Sequence, residues 1–567
     1  MRVWNITGGV EPVDTQDVLV DMLLKNRGVA KDQQEQFFAS SYIRDIHDPY
    51  DMKDMEKAVE RVMKAVRDGE RIMVYGDYDA DGITSTAIMV QTLTDIGAHV
   101  FPYLPHRYED GYGLNKETLK RLLPEFDVLI TVDCGVSNVE EIQMLVDNKK
   151  DVIVVDHHEI PKVLPPAYAI LHPRHPDGAY GWGHLCGAGT SWKFAQGLLR
   201  HPDSPHAHDE DYEKWLLDLV MIGTIADVMP LLGENRAIVR FGKEVLMRTR
   251  RHGISALLAQ SRLNVSASTA EDIAFRIVPL INAAGRIGHP QTALNALLAA
   301  TPVQAERAVR ELVQLNNDRR TLTKKMMDEA HIDIDPALPF VFVFNETWPA
   351  GIVGLVAGRL ASQFAKPAFV VGSIAKQGEK VSVAVGSARG AGHANVLSAL
   401  ETVRQHTVKL GGHKAAAGFS VLPENLGHVK QGLADYFAAQ ERSAEPTPYT
   451  ADAHIAPHLV SWDVVRTLQK FEPFGEANPK PVFALTGVEL LEKRTVGKSN
   501  DHAKLKLYLA DREVDAIGFG LGEHVEALGR SVDVLASMGV HEFRGRETLE
   551  LQIADIAPRG EVTITKQ

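Results

Sequence analysis

Carboxylate and imidazole side chains follow three short apolar segments of this sequence. The segments cover 71–75, 129–132 and 152–155, and the polar residues that end them are Asp77, Asp79, Asp81, Asp133, Asp156, His157 and His158. Short apolar runs separated by helical patterns are typical of buried parallel strands in an α/β sheet. Because the carboxyl ends of parallel strands share one edge, where ligands bind, the pattern predicts that five carboxylates and two imidazoles meet in one crevice.

A cluster of this kind repels itself strongly unless its carboxylates stay protonated or cations enter it. Carboxylate and imidazole ligands together suit Mn²⁺, whereas an all-oxygen subset suits Mg²⁺. Two such ions bridged by a shared aspartate can activate water and hold a phosphate for in-line attack. The residue types and their spacing therefore indicate a metal-dependent phosphoryl chemistry.

A structural role for the same residues is the alternative interpretation. An Asp-rich turn between a strand and a helix can cap the helix, and a His pair can be hydrogen-bonded into a wall. Either role accounts for one motif alone, but three strand ends with the same chemistry favour a metal site. Asp227 ends the apolar helical pattern 216–228, where the helix dipole disfavours a carboxylate. We therefore take Asp227 as a candidate ligand from a fourth segment.

The elements that must position these residues change in type along the chain. Strand and helix patterns alternate up to about residue 199, helical patterns follow up to 335, and strand patterns return after 336. The stretch 303–332 has no Pro or Gly, which predicts a long connecting helix. Closely spaced strand patterns after a Ser/Pro-containing linker at 441–449 predict a small β-barrel. The predicted domains are 1–45 (N-terminal extension), 46–301 (catalytic domain), 302–335 (connecting helix), 336–445 (second α/β domain) and 446–567 (barrel).

Composition excludes several classes of protein. With 567 residues, 45% of them hydrophobic and 24% charged, the chain is neither disordered nor fibrous. Its two cysteines, Cys134 and Cys186, are too few for a disulfide framework or a thiolate zinc site. We see no export signal or membrane-spanning stretch and expect a cytoplasmic location. The net charge of −13 argues against a protein that coats nucleic acid, but it leaves a nucleic-acid enzyme open.

The motifs that carry these residues are recognisable together. Asp-Tyr-Asp-Ala-Asp-Gly, Val-Asp-Cys-Gly, Val-Val-Asp-His-His and Gly-Thr-Ile-Ala-Asp-Val resemble the motifs of the DHH phosphoesterase superfamily, and Gly-Gly-His-Lys-Ala-Ala-Ala-Gly-Phe resembles the signature of its companion DHHA1 domain. With the segment 275–286 and the β-rich C-terminal part, the whole arrangement is similar to the superfamily's bacterial exonucleases specific for single-stranded DNA. The resemblance covers nearly the whole chain beyond about residue 45. It implies a DHH parallel-sheet domain joined by a long helix to a DHHA1 α/β domain, plus a C-terminal OB-like β-barrel.

The resemblance implies an activity and assigns residues to it. The activity is 5′→3′ hydrolysis of single-stranded DNA to nucleoside 5′-monophosphates with two Mn²⁺ or Mg²⁺ ions, in recombination and repair. The implied metal ligands are Asp77, Asp79, Asp81, Asp133, His157 and Asp227, and His158 is expected to orient the scissile phosphate or a ligand. Tyr75 stands where the wider superfamily often has a histidine, so Asp77 is expected to take over that role. Two alternatives stay open: a phosphodiesterase of small substrates such as cyclic dinucleotides, and a non-catalytic DNA-binding relative.

Candidate DNA contacts lie in four segments. Arg107 can bind a phosphate, beside Tyr108 and Tyr112, which can stack on bases. Arg276 and Arg286 flank a predicted turn at Asn282–Gly285 and are candidates for the 5′ phosphate. In the second domain, Ser387 and Arg389 are expected in a glycine-rich turn, and His413 in another.

The barrel and the family suggest further partners. Its basic residues can follow the DNA backbone or protect a strand edge; they are Lys493, Arg494, Lys498, Lys504 and Lys506. Single-strand-binding protein is an expected partner from the family.

Overall fold

The computed structural model describes residues 2–107, 110–111, 113–209, 211–373, 383–440, 449–497, 499–543 and 546–566. Its strands are β1 Arg2–Ile6, β2 Arg71–Tyr75, β3 His99–Tyr103, β4 Val128–Val132, β5 Asp151–Val155, β6 Ala169–Leu171, β7 Val341–Pro349, β8 Ala368–Ser373, β9 Ala384–Arg389, β10 Thr407–Gly412, β11 Ala416–Val421, β12 Tyr449–Ala451, β13 Ala453–His454, β14 Phe483–Val496, β15 His502–Leu509, β16 Arg512–Gly518, β17 Ser531–Phe543, β18 Arg546–Pro558 and β19 Val562–Lys566.

Helices alternate with strands between residues 71 and 155, whereas the described residues between 187 and 333 contain helices and no strand. The α-helices are α1 Gln16–Asn26, α2 Gln34–Phe38, α3 Tyr42–Asp45, α4 Met55–Asp68, α5 Ala80–Asp95, α6 Lys116–Leu122, α7 Val139–Asp147, α8 Gly187–Arg200, α9 Leu217–Ala226, α10 Gly233–Met247, α11 His252–Ser261, α12 Ala270–Arg276, α13 Val278–Ile287, α14 Gln291–Leu297, α15 Pro302–Asp333, α16 Ala350–Phe364, α17 Val396–Glu401, α18 Leu426–Ala438 and α19 Trp462–Gln469. Among the described helices, none is both long enough and apolar enough to cross a bilayer.

The chain forms two compact units. One comprises Met1–Ile46, Pro230–Ala237 and Glu445–Gln567, and the other comprises His47–Met229 and Ile238–Ala444. The N-terminal segment therefore packs with the C-terminal part of the chain. Its strand β1 lies between β12 and β19 in a parallel sheet, a long-range pairing that no local pattern in the sequence signals.

In the larger unit, the first sheet has the strand order β3-β2-β4-β5-β6, and every pairing is parallel. All five residues of β4 are buried, as the continuous apolar run predicts for a strand covered on both faces. The carboxyl ends of β2, β4 and β5 lie side by side, because Tyr75 pairs with Thr131 and Val132 with Val155. This register brings the residues after the three strands to one edge.

The second sheet of the same unit has the order β10-β11-β9-β8-β7, with β7 and β8 parallel and the other pairs antiparallel. Helix α15, capped by Thr301 with Pro302 in its first turn, leads from the first sheet to the second. Apolar residues of α15 and α16 share a core with β7 and β8, so the connecting helix and α16 both pack with the second sheet.

The smaller unit contains a closed five-stranded barrel. Strands β14, β15, β16, β18 and β17 pair in that order, and β17 pairs back to β14. The two sheets of the larger unit and this barrel together confirm the predicted architecture: a parallel-sheet domain, a second α/β domain and a C-terminal OB-like barrel.

Several local expectations differ from the structure. The predicted turn at Asn282–Gly285 is wrong, because these residues form the middle of α13. Ser387 and Arg389 lie on strand β9, not in a turn. In both segments the glycines allow close tertiary packing and do not mark a turn. Gly285, for example, lets α13 pack closely against the backbone of Tyr78.

The barrel lysines have partners inside their own unit. Lys504 Nζ lies 2.5 Å from Glu550, and Lys506 Nζ lies 3.1 Å from Glu513. Lys493 donates to the carbonyl oxygens of Glu526 and Leu528. Arg494 lies on β14, exposed, and Lys498 lies outside the described residues. These contacts favour the structural alternative for the three lysines.

Candidate metal centre

The loop 76–79, which joins β2 to α5, is held by its own carboxylate and by a distant amide. Asp79 caps α5: its Oδ1 accepts hydrogen bonds from the backbone N–H groups of Asp81 (3.0 Å) and Gly82 (3.1 Å). Asn282 on α13 accepts a bond of 2.8 Å from the N–H of Ala80. One oxygen of Asp79 therefore caps a helix, as the structural interpretation of the Asp-rich turn predicts. This cap fixes the positions of Asp77 and Asp81.

Asp81 lies at the N-terminus of a second helix. Its Oδ2 accepts from the N–H of Gly187 at 2.7 Å, and its Oδ1 accepts from the N–H of Ala188 at 2.9 Å. The N-terminus of α8 stabilises a negative charge there. Burial and the nearby Asp79 nevertheless raise the pKa of Asp81 to about 6.

Asp133 follows β4 in a left-handed backbone conformation. Its φ of 59° is uncommon for a residue with a side chain, and its N–H donates to the carbonyl of Val155 at 3.0 Å. Gly187 makes room for it, since a Cβ at that position would lie 2.6 Å from Asp133 Oδ1. The fold therefore accepts a strained backbone that turns this carboxylate towards the strand edge.

His157 lies among three carboxylates. Its Nε2 is 3.1 Å from Asp133 Oδ1, 3.5 Å from Asp227 Oδ2 and 3.8 Å from Asp81 Oδ2. Burial and the neighbouring His158 lower the pKa of His157 to about 3, so its ring is neutral at pH 7. A neutral imidazole is the form that ligates metals.

Asp156 and His158 form a separate charged pair at the same edge. The Asp156 carboxylate lies 2.8 Å from His158 Nδ1 and also accepts from the N–H groups of Val136 and His157. These bonds outweigh burial and lower the pKa of Asp156 to about 2, while the carboxylate raises the pKa of His158 to about 9. His158 is therefore a partly exposed cation at neutral pH, held by a carboxylate behind it.

The seven predicted catalytic and metal-binding residues come together in the structure. Their ligand atoms fall into three groups whose members lie within 4.8 Å of one another: Asp77–Asp79–Asp133, Asp81–His157–Asp227 and Asp133–His157–His158. Asp133 and His157 each belong to two groups. Such shared residues are what a site for two adjacent cations requires.

The electrostatics of this cluster favour cation binding. Burial and neighbouring carboxylates raise the pKa of Asp77 and of Asp227 to about 8 and raise the pKa of Asp133 well above its usual range. Within the described residues, Asp77 Oδ1, Asp133 Oδ1 and His157 Nε2 are buried without a hydrogen-bond partner. Buried acceptors of this kind are costly unless something positive satisfies them, so the donor set fits divalent cations.

Two arginines lie beside the acidic cluster. Arg107 lies over the Tyr78 ring, 4.0 Å from its centroid, and donates to the carbonyl of Gly285 at 3.1 Å. Arg286 donates to the carbonyl of Gly351 at 3.3 Å, and burial and the charge of Arg107 lower its pKa to about 10.

Arg276 has different surroundings. Its side chain donates to the carbonyl oxygens of Ser261, the last residue of α11, and of Arg262, so the two candidates for the 5′ phosphate have different contacts.

The remaining predicted DNA contacts lie in the second sheet or outside the described residues. Arg389 Nη1 donates to Ser387 Oγ at 2.8 Å, and both side chains belong to β9. His413 lies in the hairpin that joins β10 to β11, and β11 pairs with β9. Tyr108 and Tyr112 lie outside the described residues.

Sequence reasoning missed the residues that support the site from distant segments. These are Asn282, Gly187, His172 and Arg174; the last two bond to the carbonyl oxygen of His158, and Arg174 also bonds to that of His157. A signal existed for Gly187, because a Gly-Ala-Gly run opens a helix after Cys186 as anion-binding N-termini do. Nothing local distinguishes Asn282 or Arg174.

A parallel sheet with a carboxylate–histidine cluster at its edge, a second α/β domain and a barrel define the class of protein as a DHH phosphoesterase. Family models agree: residues 71–224 match the DHH family, N-terminal domain, 338–439 match the DHHA1 domain, and 451–555 match the RecJ OB domain. The Bacillus subtilis single-stranded-DNA-specific exonuclease RecJ is 33% identical over 95% of this chain and 68% of its own length; the Thermus thermophilus relative of the same name is 34% identical over 89% and 71%. The chain belongs to the RecJ family.

Solved structures show the same relationship. The crystal structure of RecJ in complex with Mn²⁺ from Thermus thermophilus superimposes with a TM-score of 0.82 at 28% identity, over 99% of this chain and 80% of that one. The Mg²⁺ complex of RecJ from the same organism gives a TM-score of 0.77 at 26% identity, over 99% and 79%. The similarity therefore extends over all domains of the chain.

Proposed function

We propose that this chain is a metal-dependent exonuclease that degrades single-stranded DNA from the 5′ end and releases nucleoside 5′-monophosphates, in DNA recombination and repair. The observation that carries the proposal is a set of three buried acceptors, Asp77 Oδ1, Asp133 Oδ1 and His157 Nε2, at the shared edge of three strands. No donor reaches them from the residues that the structure describes. Membership of a family whose named relatives are single-stranded-DNA-specific exonucleases supports the substrate.

In this proposal, Asp77, Asp79, Asp81, Asp133, His157 and Asp227 hold two ions, Mn²⁺ or Mg²⁺. Bound ions would supply charge neutralisation at the phosphate and a more acidic water molecule as the nucleophile. The carboxylates lose their protons as the ions bind, because their pKa values are raised in the metal-free protein. Neutral His157 offers a lone pair without needing to release a proton.

Cationic side chains around the cluster act on the substrate. His158 is positively charged below about pH 9 and partly exposed, so it can donate a charge-assisted hydrogen bond to a phosphate oxygen. The guanidinium of Arg107 lies over the Tyr78 ring, which positions it without neutralising its charge. Arg286, Ser387, Arg389 and His413 are further proposed contacts of the DNA backbone; none of these contacts reads a base.

A direct test uses a single strand of about 30 nucleotides labelled at either end, a matching duplex and a dinucleotide. We expect mononucleotides from the 5′ end of the single strand, with Mn²⁺ or Mg²⁺ and not with chelator. Turnover of the dinucleotide alone would support a small-substrate phosphodiesterase instead. Binding without any turnover, with both ions present, would support a non-catalytic role.

Two finer expectations are also proposals. Single-strand-binding protein is proposed as a partner, and a cytoplasmic location is proposed for the activity. Co-purification with that protein and fractionation of cells that carry a tagged chain test them. The proposed domain boundaries of 1–45, 46–301, 302–335, 336–445 and 446–567 can be tested by limited proteolysis.

A further inference from the structure

The C-terminal barrel is not sealed along the whole length of its strands. Strands β16 and β18 pair in parallel at three positions, with 515–517 opposite 550–552. The same register, continued towards the start of both strands, would place 512–514 opposite 547–549. Within the part of the chain that the structure describes, these two segments do not pair with each other. The seam between β16 and β18 therefore opens at one end.

A groove occupies the open end of this seam. It has a volume of about 340 Å³, and its walls include 512–515 of β16 and 547–549 of β18. Successive side chains of a strand point to opposite faces of the sheet, so a groove lined by every residue of two strand segments borders their edges. An unpaired strand edge presents backbone N–H and C=O groups, which can pair with another extended chain. Each of the unpaired segments spans about 10 Å, the length of three residues of a strand.

The charges that remain available in the groove are negative. Lys506 on β15 is taken by carboxylates of the same barrel, since its Nζ lies 3.1 Å from Glu513 and 3.7 Å from Glu492. Asp515 and Glu547 also line the groove, and no ion pair among the described residues involves either of them. A polyanion would be repelled by these two carboxylates, whereas a cationic side chain would complement them.

The remaining wall offers a hydrogen-bond donor and an aromatic ring. Arg512 Nε is buried without a hydrogen-bond partner among the described residues, while Nη2 of the same side chain donates to the carbonyl of His458 at 3.4 Å. A carbonyl oxygen of a bound peptide would satisfy the Nε–H group. Trp462, the first residue of α19, lines the groove with a partly exposed side chain. The face of an indole ring attracts the cationic end of lysine or arginine.

We propose that this groove, the β16–β18 groove, binds an extended segment of a partner protein. The segment lies between 512–514 and 547–549 as an added strand and places a lysine or arginine beside Asp515 and Glu547. In this mode of recognition the main-chain hydrogen bonds supply affinity, and the side-chain contacts supply specificity. No proposed metal ligand lines the groove, so the proposal stands apart from the nuclease activity.

The first test uses peptides that separate charge from strand addition. The probe is a fluorescent peptide of about eight residues, alternating lysine and valine and blocked at both ends, whose affinity for the full chain is measured by fluorescence anisotropy. A peptide with glutamate in place of lysine is expected to bind at least about 10-fold more weakly. A lysine–valine peptide N-methylated at alternate residues is also expected to lose about 10-fold, because it cannot donate along one edge. Equal affinities of the three peptides would overturn the proposal.

The second test changes the groove. We expect Glu547→Lys to weaken binding of the lysine–valine peptide about 3- to 10-fold, and Asp515→Asn to weaken it less, because the first variant reverses a charge and the second removes one. The matched control is Glu523→Lys, an exposed position of the same barrel that does not line the groove. Circular dichroism checks that each variant is folded. Equal weakening by Glu523→Lys and Glu547→Lys would overturn the assignment, since net charge alone would then attract the peptide.

Hydrogen exchange locates the bound peptide. The backbone amides of 512–514 and 547–549 are expected to exchange more slowly with the lysine–valine peptide present, and at an unchanged rate with a thymidine oligonucleotide of about 12 nucleotides in chelator. Protection confined to other segments would overturn the proposal. Protection of the groove by the oligonucleotide, or displacement of the peptide by it, would also overturn it and would identify a nucleic-acid groove instead.

Discussion

His157 Nε2 lies 3.1 Å from Asp133 Oδ1, yet neither atom has a hydrogen-bond partner among the described residues. The two residues follow different strands, β5 and β4, and each belongs to two of the three candidate ligand groups. A buried carboxylate oxygen this close to a buried imidazole nitrogen is unfavourable unless a proton stays on the carboxyl group or a cation binds both atoms. This pair is therefore the most direct place to test the metal centre.

Asp133→Ala is expected to abolish metal-dependent cleavage, with a loss greater than about 100-fold, because it removes a shared ligand and not merely a supporting group. The fold is expected to persist, since the substitution also removes a buried carboxylate that burial and Asp81 destabilise. Nuclease assays, circular dichroism and calorimetric Mn²⁺ titration check this. Asp203→Ala, which changes an exposed carboxylate beside Arg67, is the control. Wild-type activity in Asp133→Ala would rule out the site.

The stability of the metal-free protein is expected to fall as pH rises from about 5 to 8. Folding raises the pKa of Asp77 and Asp227 from 3.8 to about 8, so the folded state holds protons that the unfolded chain has already released. The stabilisation by these groups is full below about pH 4 and is lost as pH rises through about 8. Saturating Mn²⁺ binds the ionised carboxylates and should remove this decline. Chemical denaturation at several pH values, with chelator or with Mn²⁺, checks it; equal declines in both would contradict the prediction.

Asp156→Asn is expected to act through His158. The Asp156 carboxylate raises the pKa of His158 to about 9, and its loss should return that pKa towards 6.5. If cationic His158 binds the phosphate, the alkaline limb of kcat/KM then moves down by about 2 pH units. Activity at about pH 8 should fall about 10- to 100-fold, the range for groups that orient ligands. The pH profile, together with nuclear magnetic resonance of the histidines, tests this; an unchanged alkaline limb would assign Asp156 a purely structural role.

The sequence predicted the candidate metal ligands at the strand ends better than the residues from distant segments that position these ligands. Asp133 and His157 could be placed because a buried parallel strand ends at a known edge of its sheet. Asn282 and Gly187 could not, since each reaches the cluster from a segment about 100 to 200 residues away from its partner. The same limit explains why the sequence predicts an N-terminal extension at 1–45, whereas strand β1 in that segment pairs with β12 and β19. Local patterns specify elements, whereas these contacts depend on tertiary packing.

Gly187→Ala tests such a support directly. A Cβ at this position would lie 2.5 Å from Asp133 Cβ and 2.6 Å from its Oδ1, so either the carboxylate or the start of α8 must move. Movement of α8 would also weaken the bonds of Asp81 to Gly187 and Ala188. We expect Mn²⁺ affinity to fall by about 10- to 100-fold, as it does when groups that orient ligands are lost. The control is Gly427→Ala on α18, where a Cβ meets nothing within 4 Å.

Arg107→Ala is expected to separate DNA processing from metal binding. The guanidinium lies on Tyr78, between two metal-site aspartates in sequence, and is anchored by the carbonyl of Gly285. The guanidinium offers no lone pair to a metal. Its loss should therefore change Mn²⁺ affinity less than about threefold, and only through the loss of its charge. Removal of a phosphate contact should instead lower kcat/KM on single-stranded DNA by about 10-fold or more, as expected for a charged hydrogen bond. Arg121→Ala on α6 is the exposed control. Parallel losses of metal affinity and DNA cleavage would place Arg107 in the support of the acidic cluster, because the loop that carries Tyr78 would then depend on it.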